Sequence, residues 1–350
     1  MASVLVINPG STSTKTALFE DEVQAHSEVL RYEPATLSQF HRIWEQFEFR
    51  LGPLRSWVRA NASGLSAVAA MGGLLRPVSC GTYRVNEKMI RDARANLQGE
   101  HASNLGCAMA AAIAEEYHCE AYIVDPISVD EFEPLARYSG HPSISRSALS
   151  HALNLHAAAQ HAADDRGKPL AQCNFVIAHL GGGVSIAPVR GGRIVDVNDA
   201  SSDGPFSPER TGGLPLQQFI TLCFSNSLEE AQVRNLVRGK GGLIAYLGTN
   251  SATEVEGMIQ RGDAKAQEVY EAMAYQIAKE IGAMATVLSG HLDAVVLTGG
   301  LASSPMLVAW IRDRVKYLGP VIVYPGEREM EALALGALRV LRGEAEAAEY

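Results

Sequence analysis

The chain has 350 residues, 47% of them hydrophobic and 20% charged, with a formal net charge of −9 at pH 7. That length suits two ordinary domains with a large core. The acidic balance argues against a nucleic-acid or anionic-membrane surface as the main partner, because both need a basic field.

The five cysteines, Cys80, Cys107, Cys119, Cys173 and Cys223, are scattered and lack CxxC spacing. Reduced thiols in a cytoplasmic protein are expected, not a disulfide framework or a cysteine metal site. No basic segment followed by a long apolar one opens the chain, and no apolar run approaches the ~20 residues of a membrane span. Neither a signal peptide nor a membrane partner is expected.

In chain order, the apolar run Val4 to Ile7 leads into "NPGSTSTKT". Gly10, Lys15 and Thr16 fall where a Walker A loop has its first Gly, its Lys and its Ser/Thr, but Thr14 stands where the Gly before the Lys belongs. A P-loop also needs a helix next, since its phosphate sits on a helix N-terminus. Here Thr16 to Phe19 is short and β-compatible, Glu20-Asp21-Glu22 is a polar break, and Val23 to Leu30 returns as a strand. The spacing predicts a hairpin. Further on, "AYIVDP" puts Asp125 at the end of an apolar run, and the turn-rich "SGHPSIS" (Ser139 to Ser145) suggests a domain break.

His151 to Arg166 is an Ala-rich helix. "FVIAHLGGGVSIAPVRGGRIVDV" (Phe175 to Val197) reads as strand, glycine turn, strand, turn, strand, an echo of Val4 to Leu30 half a chain later. "GPFSPERTGGLP" is a Pro/Gly-rich loop holding Arg210. Glu268 to Leu288 carries Val269, Met273, Ile277, Ile281, Met284 and Leu288 in one apolar stripe, a helix face for a core or for a second copy of the chain. "AVVLTGGLASSP" is a buried strand ending at Gly299 and Gly300, and Glu329 to Leu341 is a last helix after Pro325-Gly326. Strands mixed with helices give an α/β chain.

The turns carry the chemistry. Backbone N–H groups in tight turns hold phosphate, helped by hydroxyls and cations. Gly10, Ser11 and Thr12 supply such groups in the first hairpin, and Gly181, Gly182 and Gly183 allow close approach in the second. Two such hairpins with a third glycine turn at Gly299 and Gly300 point to a nucleotide site. Asp125 is either a magnesium carboxylate acting through water or an Asp-Pro turn cap. His151, near a helix start, and His179, between a strand and its glycine turn, are each ligand contacts or structural histidines. Arg210 either reaches a transferring phosphoryl group or pins its loop through an acid such as Glu209. Glu327, Glu329 and Glu331 suit a helix N-terminus on dipole grounds alone.

The stretches "VLVINPGSTSTK", "GGLLRPVSCGTYRVNEKM", "VDPISVDEFEPLAR", "AHLGGGVSI", "DGPFSPERTGGLP", "GKGGLIAYLGTN", "LTGGLA" and "VYPGEREMEALALGALRVL" resemble, in order and over nearly the whole chain, the butyrate kinase branch of the acetate kinase family. That resemblance implies two duplicated actin/hexokinase-like (ribonuclease H-like) domains, with mixed sheets flanked by helices and a nucleotide cleft between them. They are expected at 1–145, completed by a C-terminal helix within 329–350, and at 146–328. It also implies a cytoplasmic homodimer or higher homo-oligomer. The implied reaction is reversible phosphoryl transfer between ATP and a short-chain carboxylate, with Mg2+. Asn8, His151 and His179 would then contact the phosphoryl group. Arg210 would neutralise charge developing in transfer. Asp125 and Glu329, with Glu327 its rival, would hold the Mg2+, and Gly299 and Gly300 would lie against the adenosine.

Two positions depart from that pattern. Ser150 stands before His151 where the family has an aromatic. Met71, in "AAMGGLLRP", stands where butyrate kinases have an arginine. Methionine donates no hydrogen bond, and losing one charge-assisted contact costs on the order of 2–4 kcal/mol in transfer, or about 10²–10³ in rate. Arg76, five residues on, is a nearby cation. The departure opens a rival reading, a nucleotide-binding paralogue that transfers phosphate weakly. A sugar kinase of the same superfamily, with Asp125 as the base that deprotonates a hydroxyl, is the other.

Overall fold

The computed structural model describes residues 1–225 and 227–350. They fall into two units, one of Met1–Asp130 with Arg328–Tyr350 and one of Glu131–Glu327. The chain changes unit at Asp130/Glu131, and the turn-rich Ser139–Ser145 stretch lies inside the second unit. The residues before that stretch are tied to the second unit's own strands: Glu133 N–H donates to Val195 O, and Glu131 Oε2 accepts from Ile194 N–H at 3.0 Å. Turn composition marks a loop; it does not say which core the flanking residues join.

The first unit holds a six-stranded sheet of β1 (Ser3–Pro9), β2 (Ser13–Glu20), β3 (Val23–Arg31), β4 (Ala67–Met71), β5 (Thr82–Arg84) and β6 (Glu120–Val124), in the order β3-β2-β1-β4-β6-β5. β1, β2 and β3 form an antiparallel meander, whereas β1, β4 and β6 run parallel. The Gly/Ser/Thr turn therefore joins two strands, as its sequence predicts, and a P-loop is excluded. Buried Thr16 adds to the hairpin by donating from Oγ1 to Val6 O at 3.1 Å.

The parallel strands read as continuous apolar runs because both their faces are covered. Leu5, Ile7, Val68, Ala70 and Ile123 share one core with Leu51, Leu54 and Val58 of the helix Phe47–Asn61 and Met109 and Ile113 of the helix Gly106–Tyr117. The alternate face is covered by the C-terminal helix Glu329–Leu341, whose Gly336 sits against Val124 where a Cβ would overlap.

The second unit has a five-stranded sheet of β7 (Asn174–Leu180), β8 (Val184–Arg190), β9 (Arg193–Ile194), β10 (Ala294–Gly299) and β11 (Val321–Pro325), in the order β11-β10-β7-β8-β9. β7 lies between its antiparallel return strand β8 and the parallel strand β10. β1 lies in the same way between β2 and β4. The two units thus repeat one scheme, a glycine-turn hairpin beside a parallel strand, as the duplicated α/β fold requires.

The long helix runs Ala264–Val287, capped by Asp263, whose Oδ1 accepts from Ala266 N–H at 3.0 Å. It starts four residues before Glu268, where the Asp263 cap begins it, and the small Ala266 of its first turn already lies in the core. Val269, Met273, Ile277, Ile281 and Met284 pack in the unit's own core with Val176, Ile186 and Leu297. That stripe is consumed inside the unit and is not a surface for a second copy. Among the described residues no helix is long and apolar enough to cross a membrane.

Candidate active site

In the first unit the candidate residues gather at the C-terminal ends of β1, β4 and β6. Ile7 pairs with Ala70, and Met71 with Val124. Asn8 is the next residue of β1, level with Met71, and Asp125 follows Val124. Strand alternation puts Asn8, Met71 and Val124 on the face covered by the helix Glu329–Leu341. Asn8 Nδ2 donates to Glu329 Oε2 at 2.6 Å, across 321 residues of sequence. Asp125, 8% exposed, holds a left-handed backbone (φ 38°). Its Oδ1 accepts from Gly81 N–H at 2.7 Å, so one part of the carboxylate does pin a turn.

This donor set fits magnesium. Mg2+ takes hard oxygen ligands, keeps several waters and is commonly held by one or two carboxylates. Asp125 and Glu329 are two such groups, on a strand end and on the start of the helix packed over that strand. Glu327, the rival glutamate, belongs to the second unit, where its charge acts on His179. Arg76 is not a spare cation for this row. Its Nε and Nη2 hold the Asp92 carboxylate at 2.6 and 3.3 Å, and its N–H donates to Tyr350 Oη at 2.9 Å.

Gly10, Ser11 and Thr12 form the end of the first hairpin, immediately after Asn8 and Pro9, with Ser11 and Thr12 exposed. Behind them lies a residue the sequence reading passed over, Arg50, wholly buried in the helix Phe47–Asn61. A signal was there. Arg50 occupies a core position of the stripe that Leu54 and Val58 continue at intervals of four.

In the second unit His179 is one residue from the end of β7, paired with Ser185 on β8 and Thr298 on β10. Its ring stacks on that of His151 with centroids 4.1 Å apart. His151 opens the helix Ala152–Asp165, and its Nδ1 is hydrogen-bonded to Ser185 Oγ at 2.9 Å. Ser185 is a second residue the sequence reading missed, since its role depends on the β7/β8 register. His179 Nδ1 is buried without a hydrogen-bond partner among the described residues. Burial pushes the His179 pKa down to about 4; Arg210 pushes the same way and Glu327 opposes.

That shift has a consequence for stability. An unfolded histidine protonates near pH ~6.5. The folded ring resists protonation until about pH 4. Between those values the unfolded chain binds the extra proton, so stability falls as pH falls through the window. Urea midpoints measured from pH 7.5 to 4.5 are expected to drop with acid, and the drop to shrink in His179→Asn. An equal drop in the variant would assign the effect to other groups.

Arg210 is half-buried. Its Nη1 donates to Ala200 O at 2.7 Å, and among the described residues no acid pairs with it. Glu209, the expected pinning partner, instead accepts from Asn250 Nδ2 at 2.7 Å. Burial, with Arg238 nearby, lowers the Arg210 pKa to about 10, still fully protonated at neutral pH. The guanidinium lies against Gly183, where a Cβ would overlap it. The third glycine of "GGG" therefore makes room for this arginine. Ser207 Oγ donates to Gly182 O at 2.6 Å and fixes the same turn. Gly299 exchanges both backbone hydrogen bonds with Gly326 at 3.0 Å, and Gly300 opens a single helical turn with open space at its Cα.

The residues thus form one cluster in each unit. Asn8, Asp125, Glu329 and the Gly10–Thr12 turn belong to the first. His151, His179, Arg210 and Gly181–Gly183 belong to the second, with Gly299 and Gly300 on the adjoining strand end.

A model of the acetokinase family matches residues 148–322. A probable butyrate kinase of Listeria monocytogenes is 48% identical over 351 aligned residues, 99% of each chain. The chain belongs to the acetokinase family, among the butyrate kinases. Butyrate kinase 2 of Clostridium acetobutylicum is 46% identical, again over 99% of each chain. The acetate kinase structure from Porphyromonas gingivalis superposes with a TM-score of 0.80 over 97% of this chain and 100% of that one. At 18% identity it shows the shared fold. The acetokinase segment contains His151, His179, Arg210, Gly181–Gly183, Gly299 and Gly300, while Asn8, Asp125 and Glu329 fall outside its bounds.

Proposed function

We propose that this chain transfers the γ-phosphoryl group of ATP, reversibly, to a short-chain carboxylate such as butyrate, a propionate-like acid or a branched acid. The products are an acyl phosphate and ADP, and the enzyme works as a Mg2+-dependent cytoplasmic homo-oligomer. The observation that carries this reading is near-half identity, over the full length, to relatives named butyrate kinase.

The chemistry asks for little beyond alignment and charge. A carboxylate oxygen is already anionic and attacks phosphorus directly, so no general base is needed. Asp125 and Glu329 would hold the Mg2+ of the nucleotide, which when bound neutralises phosphate charge. Asn8, oriented by its bond to Glu329, donates its amide to the phosphoryl group. The Gly10–Thr12 and Gly181–Gly183 turns hold phosphate oxygens, and Gly299 and Gly300 lie against the adenosine. His179, neutral because it is buried, donates without carrying charge, and its Nε2 is the ring nitrogen beside the Gly181 turn. His151 has its ring fixed by Ser185 and acts beside it. Arg210 supplies positive charge to the transferring group.

The sugar-kinase reading, with Asp125 as its base, is weaker because the relatives aligned over nearly the full length at 46–48% identity are named butyrate kinases. A panel of C2 to C6 carboxylates with ATP and Mg2+, read as hydroxamate, tests the proposal. Highest kcat/KM is expected at C4, falling with each methylene added or removed by the ~1–3 kcal/mol an apolar pocket gives. ATP consumption with hexoses, and no hydroxamate from any acid, would sink it.

A further inference from the structure

The Gly10–Ser13 turn has all its carbonyls committed to one side. Arg50 Nη1 donates to Gly10 O at 2.8 Å and to Ser13 O at 3.4 Å, and Nη2 donates to Ser11 O at 2.9 Å. Thr12 O accepts from Tyr32 N–H at 2.9 Å. In a trans peptide the N–H points opposite to the preceding C=O, and the chain has no cis bond. Turning Gly10 O and Ser11 O onto Arg50 therefore turns the N–H groups of Ser11 and Thr12 away from it, at two exposed residues.

The arginine is itself unusual. It is 0% exposed and, among the described residues, has no acid partner. Its Nε donates to Gln46 Oε1 at 2.9 Å, and its plane lies 4.7 Å from the Tyr32 ring centroid. A buried charge without a counter-ion is costly. Here it stands behind a turn whose outer side presents two successive N–H donors, where a bound anion would offset that cost.

We propose that Arg50 is the positioning residue of the first phosphate loop, shaping it for an ATP phosphate and lending it positive charge from behind. This rests on the kinase reading above. The guanidinium fork matters, because three carbonyls are held by two of its nitrogens. Lysine keeps the charge and loses that geometry.

Two measurements test it. In the native chain labelled at Ser, Thr and Arg nitrogens, ATP but not AMP is expected to shift the Ser11 and Thr12 amides, slow their exchange, and move the Arg50 Nε–H resonance with them. In Arg50→Lys, kcat/KM for ATP is expected to fall about 10²-fold, the scale of a misplaced contact, with AMP affinity unchanged. Native kinetics in a folded Arg50→Lys overturn the proposal. Ser11 and Thr12 amides indifferent to ATP overturn it whether or not the variant folds. A native chain that makes no acyl phosphate, yet shows the amide and Arg50 shifts with ATP, sinks the kinase reading and leaves the role of Arg50 standing.

Discussion

Arg210→Ala is expected to lower kcat for acyl phosphate formation by about 10³-fold or more, with ATP affinity changed by no more than about threefold. The guanidinium is half-buried, forms no ion pair with an acid among the described residues although Glu209 and Asp199 lie near enough for their charges to act on it, and is steered by the bond to Ala200 O. A positive charge held in that way gains most when negative charge builds on the transferring group, so it acts on the transition state more than on bound ATP. Gly183→Ala is the matched test of placement, because the new Cβ must push the guanidinium aside. Its expected loss is about 10-fold to 10²-fold, again in kcat. Steady-state hydroxamate kinetics and a nucleotide titration on each variant separate the two effects. Near-native kcat in Arg210→Ala removes Arg210 from the mechanism.

What the sequence disclosed follows from range. The first hairpin was legible because the β-compatible Thr16–Phe19, the Glu20-Asp21-Glu22 break and the returning strand are all local. The helix Glu329–Leu341 was legible from one stripe and a preceding Pro-Gly. His179 and Asp125 were legible as polar residues at the ends of apolar runs. The partners of the missed residues follow from pairings that no local pattern encodes. Arg50 sits on the stripe of Leu54 and Val58, which marks it as inward-facing, but nothing local says what it holds, and long charged side chains so often lie along a helix with their heads in water. Its targets lie about 40 residues upstream. Ser185 joins His151 only through the register that sets it opposite His179. The third glycine of "GGG" read as room for phosphate, and the neighbour that fills its missing Cβ is an arginine 27 positions further on.

The second large effect concerns Met71. Met71→Arg is expected to raise kcat/KM for the carboxylate by about 10²-fold, the worth of one charge-assisted contact to the reacting groups. The position is the right one for such a contact. Met71 closes β4, level with Asn8 and paired with Val124, on the face where Asn8 meets Glu329. Arg76 cannot substitute, because both arms of its fork are on Asp92. A silent native chain that binds ADP and gains activity in the variant would make Met71 the cause of a weakened paralogue. Robust native activity with no gain would show that this row transfers phosphate without a cation at residue 71. A third result has a distinct signature. Asp125 follows the end of β6 and Glu329 opens the helix packed over that face, so a new guanidinium that pairs with Glu329 would pull it from Asn8 and from the metal. Activity would then fall and the Mg2+ concentration needed for half-maximal rate would rise. Rate and Mg2+ dependence measured together therefore distinguish a missing cation from a row already balanced around two carboxylates.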